Sequence, residues 1–319
     1  MNKATLLVSF VALTTIALLL LPLDFLRDPN AQPDGLVLYE LSPMSRVQTV
    51  LLADGERRYV DESRALDGAI EIRRGPRWET IPDAALAGSQ VEDWSSSELF
   101  ILGTDGFGRD LLSRLVHGAR VSLLIGLLAA TLAMSLGAGI GLLAGTVGGW
   151  IDALLMRGTD IVLSIPRLFL AALLVALYGR SLSGTVLILG CTSWMAAARL
   201  VRGQILSLRE SGYIQAAHAS GTSSWRIATV HLLPAVVSPL LIEGMLRVVD
   251  TILIEASLSF LGLSVPPPNP TWGNMIAEGR DRLLDAWWIA TFPGIAIALT
   301  VLLLHLLGES ARRRLQTAA

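Results

Sequence analysis

The sequence predicts an all-α integral membrane protein with six transmembrane helices and a small β-rich extracytoplasmic insert between the first and second helices. The 319 residues are 52% hydrophobic and 16% charged, with a mean hydropathy of +0.57, which is too apolar for an ordinary soluble domain. Several apolar stretches reach the length of about 20 residues that a helix needs to cross a bilayer. A long polar segment with strand-like alternation follows the first of them.

Apolar stretches bounded by charged residues supply the six predicted helices. The first follows the basic start at Lys3, and we expect it to remain uncleaved because no small-residue cleavage site follows it cleanly; a signal peptide is the alternative. Pro166-Arg167 interrupts the third stretch near one end. The six stretches cover about residues 4–23, 120–152, 160–180, 181–198, 234–263 and 286–307.

Arginines in the short loops predict the orientation, because cytoplasmic loops carry an excess of Lys and Arg. Six spans place both termini on the same side of the membrane. The basic residues that mark the cytoplasmic side follow the fourth span and close the chain: Arg199, Arg202, Arg209, Arg226 and Arg312 to Arg314. We therefore expect cytoplasmic termini and an extracytoplasmic segment between the first two spans.

The polar segment at residues 29–102 has the pattern of strands and tight turns. Two pairs of alternating stretches each surround a turn signal: 47–52 and 56–60 around Asp54-Gly55, and 69–73 and 77–81 around Gly75-Pro76. Two hairpins of this kind predict a small β-rich unit beside the membrane.

Composition excludes several functions. The formal net charge is −2, so no polybasic surface is available for nucleic acid. Lys3 is the only lysine, and a P-loop needs a lysine to reach the β- and γ-phosphates, so the chain has no P-loop of its own. The single cysteine, Cys191, allows no disulfide within the chain and is expected to be a buried small residue. Neither a hydrolase motif nor metal-ligand spacing involves the four histidines, His117, His218, His231 and His305.

Residues 215–234 combine a helix-forming stretch, a glycine and a closing proline. Alanines favour a helix before Gly221, which ends it in the left-handed conformation. A second helix, capped by one of residues 222–224, is expected to stop at Pro234. The segment resembles the EAA loop of bacterial ABC-importer permeases, with the form E-A-A, three residues, G, nine residues, I, one residue, L-P. The matching positions are Gln215, Ala216, Ala217, Gly221, Leu233 and Pro234, with Gln215 in place of Glu and His231 in place of Ile.

Three further segments extend the resemblance from about residue 100 to the C-terminus. They are similar to signatures of the dipeptide, oligopeptide and nickel permeases of the C type, and they occur in the same order and spacing. The segments are G-T-D-G-F-G-R-D-L-L-S-R at 103–114, the stretch 148–160, and 255–263 with 270–274. Independently of the resemblance, residues 110–116 are expected to form an amphipathic turn or two at the membrane interface.

The resemblance implies a type I ABC-importer permease core in a bacterial cytoplasmic (inner) membrane. It divides the chain into an N-terminal helix at 1–28, the insert at 29–102 and the core at 103–319, with a coupling loop at 209–234. The implied partners are a second homologous permease subunit, two cytoplasmic ATPase subunits that bind ATP and Mg, an extracytoplasmic solute-binding protein and membrane lipid. The chain itself is then not an enzyme and holds no cofactor.

Peptides are the first expected substrate, followed by nickel and other small solutes. The insert is either a spacer or a platform that touches the solute-binding protein or narrows the outer mouth.

Four charged residues in the fifth span, Glu243, Arg247, Asp250 and Glu255, are costly at membrane depth and must face the bundle interior, a partner or water. Glu243 and Arg247 lie four residues apart and are expected to pair. Arg167, near the end of the third span, is expected to extend to the membrane surface. A secondary transporter that uses the four charges is the alternative function.

In the second span, Gly141 and Gly145 are expected to allow close helix packing.

Overall fold

The chain forms two compact units in the computed structural model, which describes residue 23, residues 26–88 and residues 90–318. The strand-containing unit comprises, in this part of the chain, residues 23–119 and 270–295, so it extends beyond the segment 29–102. The helical unit comprises residues 120–269 and 296–318. The predicted first helix, at 4–23, lies outside the described residues apart from its last residue.

Six strands occur among the described residues, and all lie in the strand-containing unit. They are β1 (Ser45–Leu51), β2 (Arg57–Val60), β3 (Glu62–Leu66), β4 (Ala69–Arg74), β5 (Arg77–Pro82) and β6 (Ser95–Phe100). They form two antiparallel three-stranded sheets with the orders β2-β1-β6 and β3-β4-β5. The four strands predicted from alternation are present as β1, β2, β4 and β5. β3 and β6 were not predicted, because every residue of β3 is exposed and β6 begins with three serines, so neither has a strong apolar alternation.

The alternating apolar residues of the hairpins form one hydrophobic core. Val50 and Val60 from the first sheet meet Ile70, Ile72 and Ile81 from the second, and all five are at most 5% exposed. Apolar burial of this kind stabilises a folded chain by about 25 cal/mol per Å². The alternating residues therefore hold the two sheets together.

Eleven α-helices occur in the described part of the chain. They are α1 (Val91–Trp94), α2 (Leu111–Val147), α3 (Gly149–Leu163), α4 (Arg167–Tyr178), α5 (Leu182–Cys191), α6 (Met195–Arg209), α7 (Gly212–Ala219), α8 (Ser224–Arg226), α9 (Leu233–Phe260), α10 (Trp272–Gly279) and α11 (Trp288–Ala318). Four helical stretches of the described chain are long and apolar enough to cross a membrane, and a fifth is added if α3 and α4 count as one bent span. The four are Leu111–Val147, Leu182–Arg209, Ser224–Phe260 and Trp288–Ser310.

The third predicted span is not one straight helix. α3 ends at Leu163, α4 begins at Arg167, and the two are bent by 85°. Pro166 explains the break, because proline lacks an N–H and steers the residue before it away from helical geometry. The interruption expected at Pro166-Arg167 is therefore present as a sharp bend, and the helix before it begins at Gly149, ahead of the expected stretch 160–180.

Residues 111–116, expected to form a separate amphipathic turn or two, are instead the first turns of α2, which begins at Leu111 and runs for 37 residues. Asp110 stabilises its start by accepting hydrogen bonds from the Ser113 N–H at 2.9 Å and the Ser113 hydroxyl at 2.6 Å. Arg114 lies within the first turns and is buried against Asp105 at 3.2 Å and Glu278 at 3.1 Å. These two carboxylates balance the positive charge of the buried Arg114 side chain.

Glycines of α2 pack closely against α6, as the spacing predicts. A Cβ atom at Gly141 would lie 2.5 Å from the Ala198 carbonyl oxygen, and one at Gly145 would lie 2.8 Å from Ile205. Gly137 is similarly close to Ala197. In a membrane, close backbone approach replaces the hydrophobic drive for helix association, so the stripe fixes α6 against α2.

Cys191 is exposed, contrary to the expectation of a buried residue. It is the last residue of α5, and the packed residues Leu189 and Gly190 precede it. Successive side chains on a helix point about 100° apart, so the position after a packed residue faces another direction. Membership of an apolar run therefore does not determine burial at a single position.

Candidate coupling site

The coupling segment, residues 209–234, contains a short helix closed by a Schellman motif. α7 ends at Ala219, and Gly221 adopts a φ of +79°. The Gly221 N–H donates to the His218 carbonyl oxygen at 3.0 Å, and the Thr222 N–H donates to the Ala217 carbonyl oxygen at 3.1 Å. These two hydrogen bonds define the motif, which needs a residue in the left-handed region at the position of the glycine. The role expected for Gly221 in ending the helix is confirmed.

The inner side of the coupling segment is anchored in an apolar cluster. Ile214 of α7 is fully buried, and Ile227 and Leu232, which follow the turn, are each 1% exposed. They pack with Val201 and Ile205 of α6. Ala217 and Leu233 are partly buried against the same cluster. α7 is therefore packed directly against the helix that precedes it.

The outer side of the segment is exposed. Gln215 and Ala216 are exposed, and the Gln215 side-chain amide donates to the Glu210 carbonyl oxygen at 3.3 Å. Two large aromatic side chains accompany them, Tyr213 at 52% and Trp225 at 74% exposure. These two aromatics were not predicted as site residues, although aromatic residues are enriched at protein contact surfaces.

The helix after Gly221 does not stop at Pro234. α8 begins at Ser224, and a π-helical stretch, Ile227–Leu232, joins it to α9, so that helical structure continues to Phe260. Pro234 lies in the first turn of α9, where the missing N–H costs little. The expectation that the helix ends at Pro234 is therefore wrong, because Pro234 lies where the π-helical stretch changes to the α-helix α9. Ser223 occupies the N-cap position with extended backbone but without a side-chain cap hydrogen bond.

The charges of α9 form an ion-pair network with α4. Arg247 pairs with Glu243 at 2.6 Å, as predicted, and with Asp250 at 3.2 Å. Arg167 of α4 pairs with the same Asp250 carboxylate and lies 3.4 Å from the Thr251 hydroxyl. Arg167, which was expected to extend to the membrane surface, therefore has a carboxylate partner in α9.

Glu255 has different contacts from the other three predicted charges. Its side chain accepts hydrogen bonds from the hydroxyls of Ser259 at 2.9 Å and Ser264 at 2.7 Å, and the residue is 1% exposed. The four charges that the sequence grouped together are therefore divided between a helix–helix network and a buried hydroxyl site.

Several helices of membrane length, joined by an exposed helix–turn–helix segment after α6, define a multi-span membrane protein. Residues 137–318 match the family described as "Binding-protein-dependent transport system inner membrane component". This match covers more than half of the 319 residues, and the chain belongs to this family. The chain is therefore a permease component of the ABC-importer type.

Similar proteins support the assignment. A putative peptide transport system permease protein of Brucella suis biovar 1 is 44% identical over 212 residues, which are 66% of this chain and 71% of the relative. The di/tripeptide transport system permease protein DppC of Pseudomonas aeruginosa is 42% identical over 231 residues, which are 72% and 74% of the two chains.

A solved structure of the MetNI methionine ABC transporter, in an inward-facing conformation, is similar to this chain. The TM-score is 0.55 and the sequence identity is 17%. The similarity covers 64% of this chain and 97% of that one. It shows that the fold is that of a type I ABC-importer permease.

Proposed function

We propose that this chain couples ATP hydrolysis in separate partner subunits to alternating access through the helical unit. The observation that carries the proposal is the two-sided coupling segment. One side is exposed and offers Gln215, Ala216, Tyr213 and Trp225, whereas the other side is anchored through Ile214 in the apolar cluster on α6. A segment of this kind is able to receive a push on one side and pass it to the helices on the other.

In the proposed cycle, ATP binding closes the two cytoplasmic ATPase subunits and carries the coupling segment with them. The helical unit then opens outward, and hydrolysis returns it to the inward state. ATP and Mg are bound by the partner chains. Gly221 maintains the turn, Ala216 and Gln215 contact the ATPase, and Ala217, Leu233 and Pro234 hold the segment on its base. The paired state of Glu243, Arg247 and Asp250 favours a structural network over the proton relay of the alternative secondary transporter.

The proposed partners are a second homologous permease subunit, two ATPase subunits, an extracytoplasmic solute-binding protein and membrane lipid. Peptides are the proposed substrates, because the relatives described above are named for peptide and di/tripeptide transport. Nickel and oligopeptides follow from the sequence signatures alone.

We also propose six spans with both termini in the cytoplasm and domains at 1–28, 29–102 and 103–319. The strands β1 to β6 then belong to an extracytoplasmic insert that acts as a spacer or as a platform for the solute-binding protein.

Cysteine crosslinking in the assembled transporter tests the coupling segment. Ala216→Cys, in a Cys191→Ser background, is expected to crosslink through short bismaleimides to a single cysteine introduced on the surface of an ATPase subunit, because Ala216 is exposed. Ala217→Cys is the matched control, since it is the adjacent alanine on the same helix but partly buried against the apolar cluster, and it should react several times more slowly. Failure of Ala216→Cys across several linker lengths would mean that the segment is not the contact.

A further inference from the structure

We propose that Arg202 and Asp152 are positioning residues that carry the displacement of the coupling segment into the bent helix pair α3 and α4. The inference rests on the proposed function, because it requires an ATPase to move α7. It adds the connection by which the movement leaves α6 and reaches α3 and α4.

Arg202 and Asp152 form a bidentate ion pair between α6 and α3. The Arg202 Nε donates to Asp152 Oδ1 at 2.6 Å, and Nη2 donates to Oδ2 at 2.7 Å. Two parallel hydrogen bonds fix the orientation of two groups as well as their distance. The side chains are 34% and 15% exposed, so solvent screens the pair less than it screens a fully exposed pair. α6 and α3 are therefore coupled in rotation as well as in translation.

α6 is the helix that the coupling segment moves first. Only Glu210 and Ser211 separate the end of α6 at Arg209 from the start of α7 at Gly212. Ile214 of α7 is buried against Ile205 of α6, one turn from Arg202. A push on α7 therefore reaches the ion pair through a short covalent link and a packed contact.

A second ion pair joins the same two helices. Arg199 of α6 contacts Asp160 of α3, with both side chains more than half exposed. Exposed pairs contribute about 0–1 kcal/mol, so this contact is the weaker of the two. Two pairs at different positions along α3 prevent it from pivoting about a single contact.

Beyond α3, the connection continues to α9. α3 leads through the bend at 164–166 into α4, whose first residue, Arg167, pairs with Asp250 of α9. α9 in turn forms one wall of a cavity of about 390 Å³, and α2 forms the other. The lining is mainly apolar and includes Leu127, Met134, Leu241 and Met245. A movement of α3 and α4 would therefore reach one wall of this cavity through the Arg167–Asp250 ion pair.

The test measures movement at the bend between α3 and α4. Ser164 is exposed there, so Ser164→Cys in the Cys191→Ser background provides a reporter for maleimide labelling of the assembled transporter. We expect the labelling rate to change on addition of ATP and vanadate. Arg202→Ala should reduce this change about fivefold or more, in the range of coupling measured for contacting residues. The reversed pair Arg202→Asp with Asp152→Arg should restore it, whereas either reversal alone should not.

Two controls separate coupling from general damage. Arg313→Ala removes an arginine that pairs with Glu309 within one helix, so it should leave the labelling change intact. Arg199→Ala should have a smaller effect than Arg202→Ala, because its pair is more exposed.

The outcomes distinguish this inference from the proposed function. Retained crosslinking at Ala216→Cys together with a lost labelling change in Arg202→Ala supports the inference. Retention of the labelling change in Arg202→Ala overturns the inference and assigns the movement to the packing of α6 on α2. Absence of the change in the reference protein overturns the inference as well, because the bend then does not move. Loss of Ala216→Cys crosslinking in the reference protein overturns the proposed function itself.

Discussion

Gly221→Val is the sharpest perturbation of the coupling segment, because its effect arises from the backbone alone. The residue has a φ of +79°, and a Cβ atom built on it meets no other atom within 4 Å. The substitution therefore causes no collision. It does place a β-branched residue in the left-handed region, which costs an L-amino acid about 1–2 kcal/mol. That cost shifts the equilibrium between the closed turn and open alternatives by roughly 5–30-fold.

The expected result is a transporter that assembles but is uncoupled. Opening the turn breaks the hydrogen bonds to His218 and Ala217 and releases the exposed side of α7 from its fixed orientation. Abundance in the membrane should stay near normal, because Ile214 and its apolar cluster are untouched. Uptake of a radiolabelled dipeptide should fall several-fold while ATP hydrolysis by the complex continues. The assay measures both rates on the same preparation, with membrane abundance determined by immunoblot.

Two substitutions make the test specific. Gly221→Asn should retain most of the activity, because asparagine tolerates the left-handed region. Gly212→Val is the matched control, since Gly212 also has open space around it but lies in the first turn of α7 without a positive φ. Wild-type transport in Gly221→Val, or an equal loss in Gly212→Val, would refute the reasoning.

Two further predictions concern other parts of the chain. Gly141→Leu should destabilise the protein by about 1–3 kcal/mol through overpacking against α6, measured as faster thermal aggregation in detergent, whereas Gly139→Leu, which faces open space, should not. Burial and the hydrogen bond to Glu98 raise the pKa of Tyr59 to about 12. Tyrosine in an unfolded chain ionises near pH 10, so the stability that this shift contributes should be full below about pH 10 and lost as the pH rises through 12. The pKa of Tyr59 is measured from tyrosinate absorbance against pH, as the difference between the protein and its Tyr59→Phe variant. Glu98→Gln should lower this pKa. Ionisation of Tyr59 near pH 10 in the native protein would contradict the expectation.

Much of the coupling site was predictable because its signals are local. Alanines favour a helix, and the hydrogen bonds of a Schellman motif span six residues, so the role of Gly221 follows from a short window of sequence. Predictions were wrong where the same local residue pattern is compatible with more than one structure. Pro234 was expected to stop a helix, but the first turn of a helix tolerates proline equally well. At Pro166-Arg167 the sequence indicated the interruption but not the angle of the bend, which is 85°.

The sequence by itself determined the class of protein. Apolar stretches of membrane length, a single lysine at position 3 and four ordered motifs are properties of composition and spacing, which do not depend on how the helices pack. Only the tertiary structure decided which charges from distant parts of the chain meet. Arg167 pairs with Asp250 and Arg202 with Asp152, across 83 and 50 residues of chain. Neither pair was predicted from the sequence. The physical reason is that an ion pair needs two groups within about 4 Å, and for residues so far apart only the packing of the helices brings them to that distance.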